Sequence, residues 1–215
     1  MTNAILQKIA QTYPLTELPV GDMGTLKASG MTFIVQAFHA EGLGHVSIMR
    51  AKGFFGLMKM DTLIINPTQI DLPLYSYDRI FAMGNDTLIV ELYDTAITPY
   101  DASALASVKE SYAHLPYRDP GKHWYDDIKL KESLSFKGKK AQTSAFDELT
   151  LKQFDAYLGG SNAPVEDKNA KLEKANVYVN GLLEKGGPST DVFKKTLGEE
   201  KTARLFKEVL FGTNV

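Results

Sequence analysis

The chain has 215 residues, 44% hydrophobic and 23% charged, with 24 basic and 26 acidic residues and a formal net charge of −2. That is the composition of a folded domain able to bury a substantial core, and it offers no global field for nucleic acid or an anionic membrane. Cysteine is absent, which excludes disulfides, thiolate catalysis, cysteine-ligated zinc and iron–sulfur clusters together and makes a reducing cytoplasm the expected compartment.

In chain order, Ile5, Leu6, Ile9 and Ala10 recur at helical spacing, and Pro14 stops that helix after Tyr13. The segment is amphipathic and lacks the basic start and continuous apolar run of a signal peptide. From residue 25 the character changes. Short segments at 25–27, 33–38, 46–49, 60–65, 79–83 and 88–93 are rich in apolar, β-branched and aromatic residues, and turns such as Ser29-Gly30, Asn66-Pro67 and Gly84-Asn85-Asp86 separate them. The gaps leave no room for crossover helices, so an antiparallel meander is expected. No apolar stretch here approaches the length of a bilayer span.

Past Pro99 a helix is expected over 102–114, then an irregular Pro/Gly stretch at 116–122 leading to the only tryptophan, Trp124. The remainder reads as helical. Phe146, Leu149, Phe154 and Tyr157 mark one helix; Leu172, Ala175, Val179 and Leu182 mark another. Gly186-Gly187-Pro188 breaks the chain, Ser189 or Thr190 is placed to cap the next helix, and Gly198 separates it from the last. A helix, then strands, then helices implies α+β: a three-layer α/β/α sandwich with a central antiparallel sheet, formed by a single domain over 1–215. Glycine-rich phosphate loops, nucleophile elbows and metalloprotease motifs are missing, and the four histidines are too scattered to suggest a metal site.

Chemistry concentrates between His45 and Asp94. Asp71-Leu72-Pro73-Leu74-Tyr75-Ser76-Tyr77-Asp78 puts a carboxylate at the mouth of the apolar strand 80–83, and Asp61 lies inside the apolar strand 60–65. Acids embedded in such strands lose solvation, which raises their pKa and suits them to donate protons near neutral pH. Spacing alone leaves a plainer reading open, in which Asp78 caps a turn and Asp61 faces water.

The same residues carry a family resemblance. Asp71 through Ile80 resembles the segment of ferredoxin-dependent bilin reductases in which a Pro-Leu-aromatic run precedes the active-site aspartate. Leu92-Tyr93-Asp94 through Pro99, the position of Trp124, and the ending Leu197-Gly198-Glu199, Ala203-Arg204 and Glu208-Val209-Leu210-Phe211 are also similar to that family. The resemblance runs from about His45 to the end. It implies a bilin held between the sheet and the C-terminal helices, no tightly bound flavin or nicotinamide, and single electrons from reduced ferredoxin coupled to protonation. It aligns Asp78 with the proton-donating aspartate, with Asp61 and His45 positioning substrate or water. For His45 a hydrogen-bonded role within the sheet is the alternative.

Arg50, Lys52 and Lys59 are candidates for pairing bilin propionates, or for protecting a sheet edge. Lys129, Lys131, Lys137, Lys139 and Lys140 form a basic patch suited to docking an acidic ferredoxin. One departure stands out: where the family pattern has an Asn-Asp pair, this chain has Gly186-Gly187, with Asp191 a turn later as a substitute or merely as an acid opposing the helix dipole. Red chlorophyll catabolite reductase is a related possibility. A tetrapyrrole carrier that lost the chemistry, and an interaction domain without enzymatic function, are the rivals.

Overall fold

Period-two alternation from residue 15 onward builds one sheet. The computed structural model describes residues 1–214, Pro188 as backbone only. Its strands are β1 (Leu15–Leu18), β2 (Thr25–Ala28), β3 (Met31–Ala40), β4 (Gly44–Gly53), β5 (Met58–Pro67), β6 (Leu74–Ala82), β7 (Asn85–Tyr93) and β8 (Leu134–Lys139). All pairs are antiparallel in the order β1-β3-β4-β5-β6-β7-β8, with β2 also on β3. The helices are α1 (Thr2–Thr12), α2 (Ser103–Ser111), α3 (Thr143–Leu158), α4 (Lys168–Lys185), α5 (Pro188–Leu197) and α6 (Glu199–Arg204), the last running into a π-helical stretch, Leu205–Leu210.

Alternation splits the sheet's side chains between two cores. Val46, Ile48, Leu63, Ile65, Tyr77 and Val90 pack under α1, α2 and α3, meeting Ile5, Leu105 and Phe146. Phe33, Val35, Met49, Ile64, Leu74 and Tyr93 face α4, α5 and the C-terminal segment, meeting Tyr178, Phe193 and Phe206. The α+β sandwich expected from the sequence is therefore the architecture observed, with helices on both faces.

Buried polar groups fix the helical layers. Arg79, 1% exposed, projects under α3; its Nη2 donates to Asp86 Oδ2 at 2.7 Å, and Thr143 Oγ1 at the start of α3 donates to the same oxygen at 2.6 Å. Lys171 of α4 reaches Asp71 Oδ1 at 3.1 Å, while Asp71 also accepts from the Thr98 amide at 2.9 Å. Three side chains on β4 and β5 take up C-terminal carbonyls that a helix end leaves without partners. His45 Nε2 donates to the Val209 carbonyl at 2.8 Å, Ser47 Oγ to that of Leu210 at 2.7 Å, and Asn66 Nδ2 to that of Phe211 at 2.8 Å. Gly212 follows at φ +58°, where an added Cβ would lie 2.4 Å from the His45 ring.

Several local expectations change. The strands β1 and β8 were not anticipated: both are short, carry few apolar residues and sit on sheet edges, where one side is free of packing. The strand expected at 79–83 begins at Leu74 and ends at Ala82, so Asp78 stands in mid-strand and Met83 is the turn residue. The cap of α5 is Gly187, with Pro188 in the first helical turn, and neither Ser189 nor Thr190 serves.

Candidate active site

The second core is incomplete. Between the sheet, α4, α5, the C-terminal segment and the loop at 118–125 lies a cleft of about 430 Å³, within the ~300–1,000 Å³ range of small-molecule sites. Its sheet wall is apolar and yielding, with Met31, Met49, Met58 and Met60 beside Phe33 and Ile64. Tyr125 and Tyr178 form the opposite side, where Tyr178 stacks on Tyr93 at 3.9 Å between ring centroids.

Four polar groups converge on this apolar wall: Asp78, Thr62, Ser76 and Glu91. Register explains the grouping. Thr62 is directly opposite Asp78 and Ser76 directly opposite Glu91, so all four point to the same face. Thr62 Oγ1 donates to Asp78 Oδ1. Burial pushes the Asp78 carboxyl up from 3.8 to about 6; the Thr62 hydrogen bond works against the rise and the Glu91 charge adds to it. Glu91 accepts from the Tyr93 hydroxyl at 2.6 Å and lies 3.6 Å from Lys129 Nζ. At the mouth, Arg118 and His123 supply cationic or ionisable groups, with Arg118 Nη1 donating to Ser135 Oγ at 3.3 Å and the His123 ring stacked on Tyr125. Chemically, the cleft offers a flat apolar slot, a carboxylic acid that keeps its proton to a higher pH than an exposed one, and a cation at the rim.

Of the candidate site residues singled out in the sequence, Asp78 alone lines this cleft among the described residues. Asp61 is paired in register with Arg79 and Arg50 on the opposite face, because it is one residue out of phase with Thr62. Arg50, Lys52 and Lys59 share that opposite face, and Arg50 Nε donates to Thr2 Oγ1 of α1 at 3.3 Å, so none of the three faces the slot. His45 is on the cleft side of the sheet but is covered by the C-terminal segment it holds, 5% exposed, with burial depressing its pKa. Asp191 is exposed on α5 beside Gly186 and does not line the cleft. The Gly186 carbonyl accepts from Trp124 Nε1 at 3.0 Å, and Trp124 packs so close to Gly181 that an added Cβ there would meet its ring at 2.2 Å.

The basic patch divides. Lys129 is engaged with Asp126 Oδ1 at 2.7 Å and with Glu91, whereas Lys131, Lys137, Lys139 and Lys140 are exposed, the last three along and just after the edge strand β8. Thr62, Glu91, Arg118 and Tyr178 escaped the sequence reading. The alternation Met58-Lys59-Met60-Asp61-Thr62 was the available signal for Thr62, but it needed the β5–β6 register to join it to Asp78.

No protein-family model and no curated protein matches the sequence. The sheet roofed by helices on both sides, with a cleft on the C-terminal side, defines a fold class, and solved structures share it. One is phytochromobilin synthase from tomato, crystallised as the selenomethionine protein in complex with biliverdin: its TM-score is 0.78 over 99% of this chain and 82% of that chain, at 15% identity. The fold implied by the resemblance in the sequence is therefore the fold observed. Among the described residues no helix is long and apolar enough to cross a membrane.

Proposed function

We propose that the protein binds a linear tetrapyrrole in the cleft and reduces it, with Asp78 as proton donor and reduced ferredoxin as electron donor. The observation that carries this reading is a buried carboxyl group on an otherwise apolar sheet wall, its pKa pushed up by that burial, in a fold shared with an enzyme solved with biliverdin. Reduction of one double bond takes two electrons and two protons. Electrons arrive singly; the Asp78 Oδ–H bond breaks as a ligand C–H or N–H bond forms, and solvent returns the proton to Asp78. Thr62 orients the carboxyl, and Arg118 at the rim suits a propionate. No bound flavin or nicotinamide enters the scheme. The exposed lysines on and after β8 suit an acidic donor protein.

A second reading, a carrier that binds the tetrapyrrole without reducing it, is favoured by Gly186-Gly187 and the outward-facing Asp191, which leave that side of the cleft without an acid. Titrating the protein with biliverdin separates binding from its absence: a red-shifted or sharpened band supports both readings, and an unchanged spectrum refutes both. Adding ferredoxin, its reductase and NADPH without oxygen then distinguishes them. Conversion of the bound spectrum establishes the reductase; a bound spectrum that never changes establishes the carrier.

A further inference from the structure

We infer that Glu91 is a positioning residue for the Asp78 proton, a fixed negative charge on the cleft floor that adds to burial in helping the neighbouring acid retain its proton. This deepens the proposed reduction and rests on it for the use of the proton. The geometry stands without any ligand. Asp78 is directly opposite Ile89, so Glu91, two residues on along β7, is its diagonal neighbour on the same face. That places the two side chains roughly 7–8 Å apart on adjacent strands. Both line the cleft, among methionines and aromatic rings that keep the dielectric low.

Glu91 is held where it is. Its Oε2 accepts from the Tyr93 hydroxyl at 2.6 Å, and Tyr93 is itself clamped by the stack on Tyr178. Only 17% of the Glu91 side chain is exposed, so the carboxylate has little water to swing into. Lys129 lies 3.6 Å from Oε1, but the same ammonium is closer, 2.7 Å, to Asp126 Oδ1, which divides its charge between two acids. The Glu91 charge is therefore only partly compensated over the slot. Two carboxyls in one low-dielectric site do not both ionise readily, and the better-solvated, better-donated-to member takes the charge. Glu91 accepts from a hydroxyl and faces a cation, whereas Asp78 has Thr62 alone.

The remaining ionisable groups on the cleft wall come from the 118–125 loop and α4: Arg118, His123, Tyr125 and Tyr178. Among the described residues α5 and the C-terminal segment contribute none, presenting Thr190, Val192, Phe193, Phe206, Leu210 and Phe211. Among the described residues no other carboxylate lines the cleft to exert the same field.

Two substitutions of opposite sign test this in the ligand-free protein. With aspartate and glutamate labelled at the side-chain carboxyl carbon, the Asp78 resonance is identified by its loss in Asp78→Asn and followed against pH. Glu91→Gln is expected to lower the Asp78 midpoint by on the order of one pH unit, the size of a like charge at this spacing. Lys129→Met, which strips the partial cover from Glu91, is expected to raise it. A merely structural role moves both variants the same way or neither, and either result overturns the inference. Should Glu91→Gln fail to fold, Glu91→Met takes its place: a lowered Asp78 midpoint supports the inference and an unchanged or raised one refutes it. Since no tetrapyrrole is present, failure to bind biliverdin leaves this outcome untouched, and failure here leaves binding untouched. Where turnover is found, Glu91→Gln should also move the alkaline limb of the kcat profile to lower pH.

Discussion

Replacing Asp78 with asparagine should stabilise the protein, and by an amount that depends on pH. The carboxyl titrates at about 6 in the folded chain against 3.8 for an unperturbed group, because burial disfavours its charged form. For an acid shifted upward, the folded state bears no penalty below the unfolded value; the penalty grows between about pH 4 and pH 6 and is constant above that. Those two values give a cost of about 3 kcal/mol at pH 7, about half of that at pH 5 and close to zero at about pH 3.5. Asparagine keeps an oxygen for the Thr62 hydroxyl and removes the charge. Urea unfolding of both proteins at three pH values, followed by the fluorescence of the single tryptophan, measures the difference. Asp78→Asn should gain about 2–3 kcal/mol at pH 7 and nothing near pH 3.5. A difference of the same size at every pH would refute the reasoning, since it would show that the carboxyl is as well solvated folded as unfolded. The same variant should bind tetrapyrrole and fail to complete its reduction.

Gly212→Ala should lower stability by about 2 kcal/mol or more, because a side chain at φ +58° is strained and its Cβ meets the His45 ring; thermal unfolding reads it directly. Lys171→Met leaves the Asp71 carboxylate buried without its cation and should cost about 3–5 kcal/mol, part of which Asp71→Asn in the same chain restores. Burial depresses the His45 pKa below 6.5, so its contribution is complete above that pH and is lost as pH falls through it while the unfolded chain takes up a proton; denaturation of His45→Gln should show a flatter acid limb than the native protein. Reversing Lys137, Lys139 and Lys140 to glutamate should raise the KM for ferredoxin with kcat unchanged, and do so less at high salt; an unaltered KM moves the docking site elsewhere.

Most of the architecture was legible in the chain itself. The apolar, β-branched and aromatic enrichment of Val46 through Met49 or Leu88 through Tyr93 is a local property, as are the breaks at Gly186-Gly187-Pro188 and Gly198, and both survive in the folded protein. The edge strands were hidden because one is only four residues long and the other mixes two lysines and a glycine into its six, and only pairing partners reveal such segments as strands. The absence of cysteine and the balanced charge were final from the start.

The site was another matter. Asp78 could be singled out by the residues before it, but its neighbours come from strands and loops remote in sequence: Thr62, Glu91, Arg118 and Tyr178. Asp61 read like Asp78 as an acid inside an apolar strand, and one position of phase from Thr62 sends it through the sheet to the other core. His45 looked catalytic, and the C-terminal segment turned it into a latch. Composition and periodicity are written residue by residue, so the chain alone determined which segments become helices and which apolar runs become the inner strands. Which side of the sheet is left open, and which side chains meet there, depends on register and on how the last three helices close. Those are properties of long-range packing, and only the tertiary structure decided them.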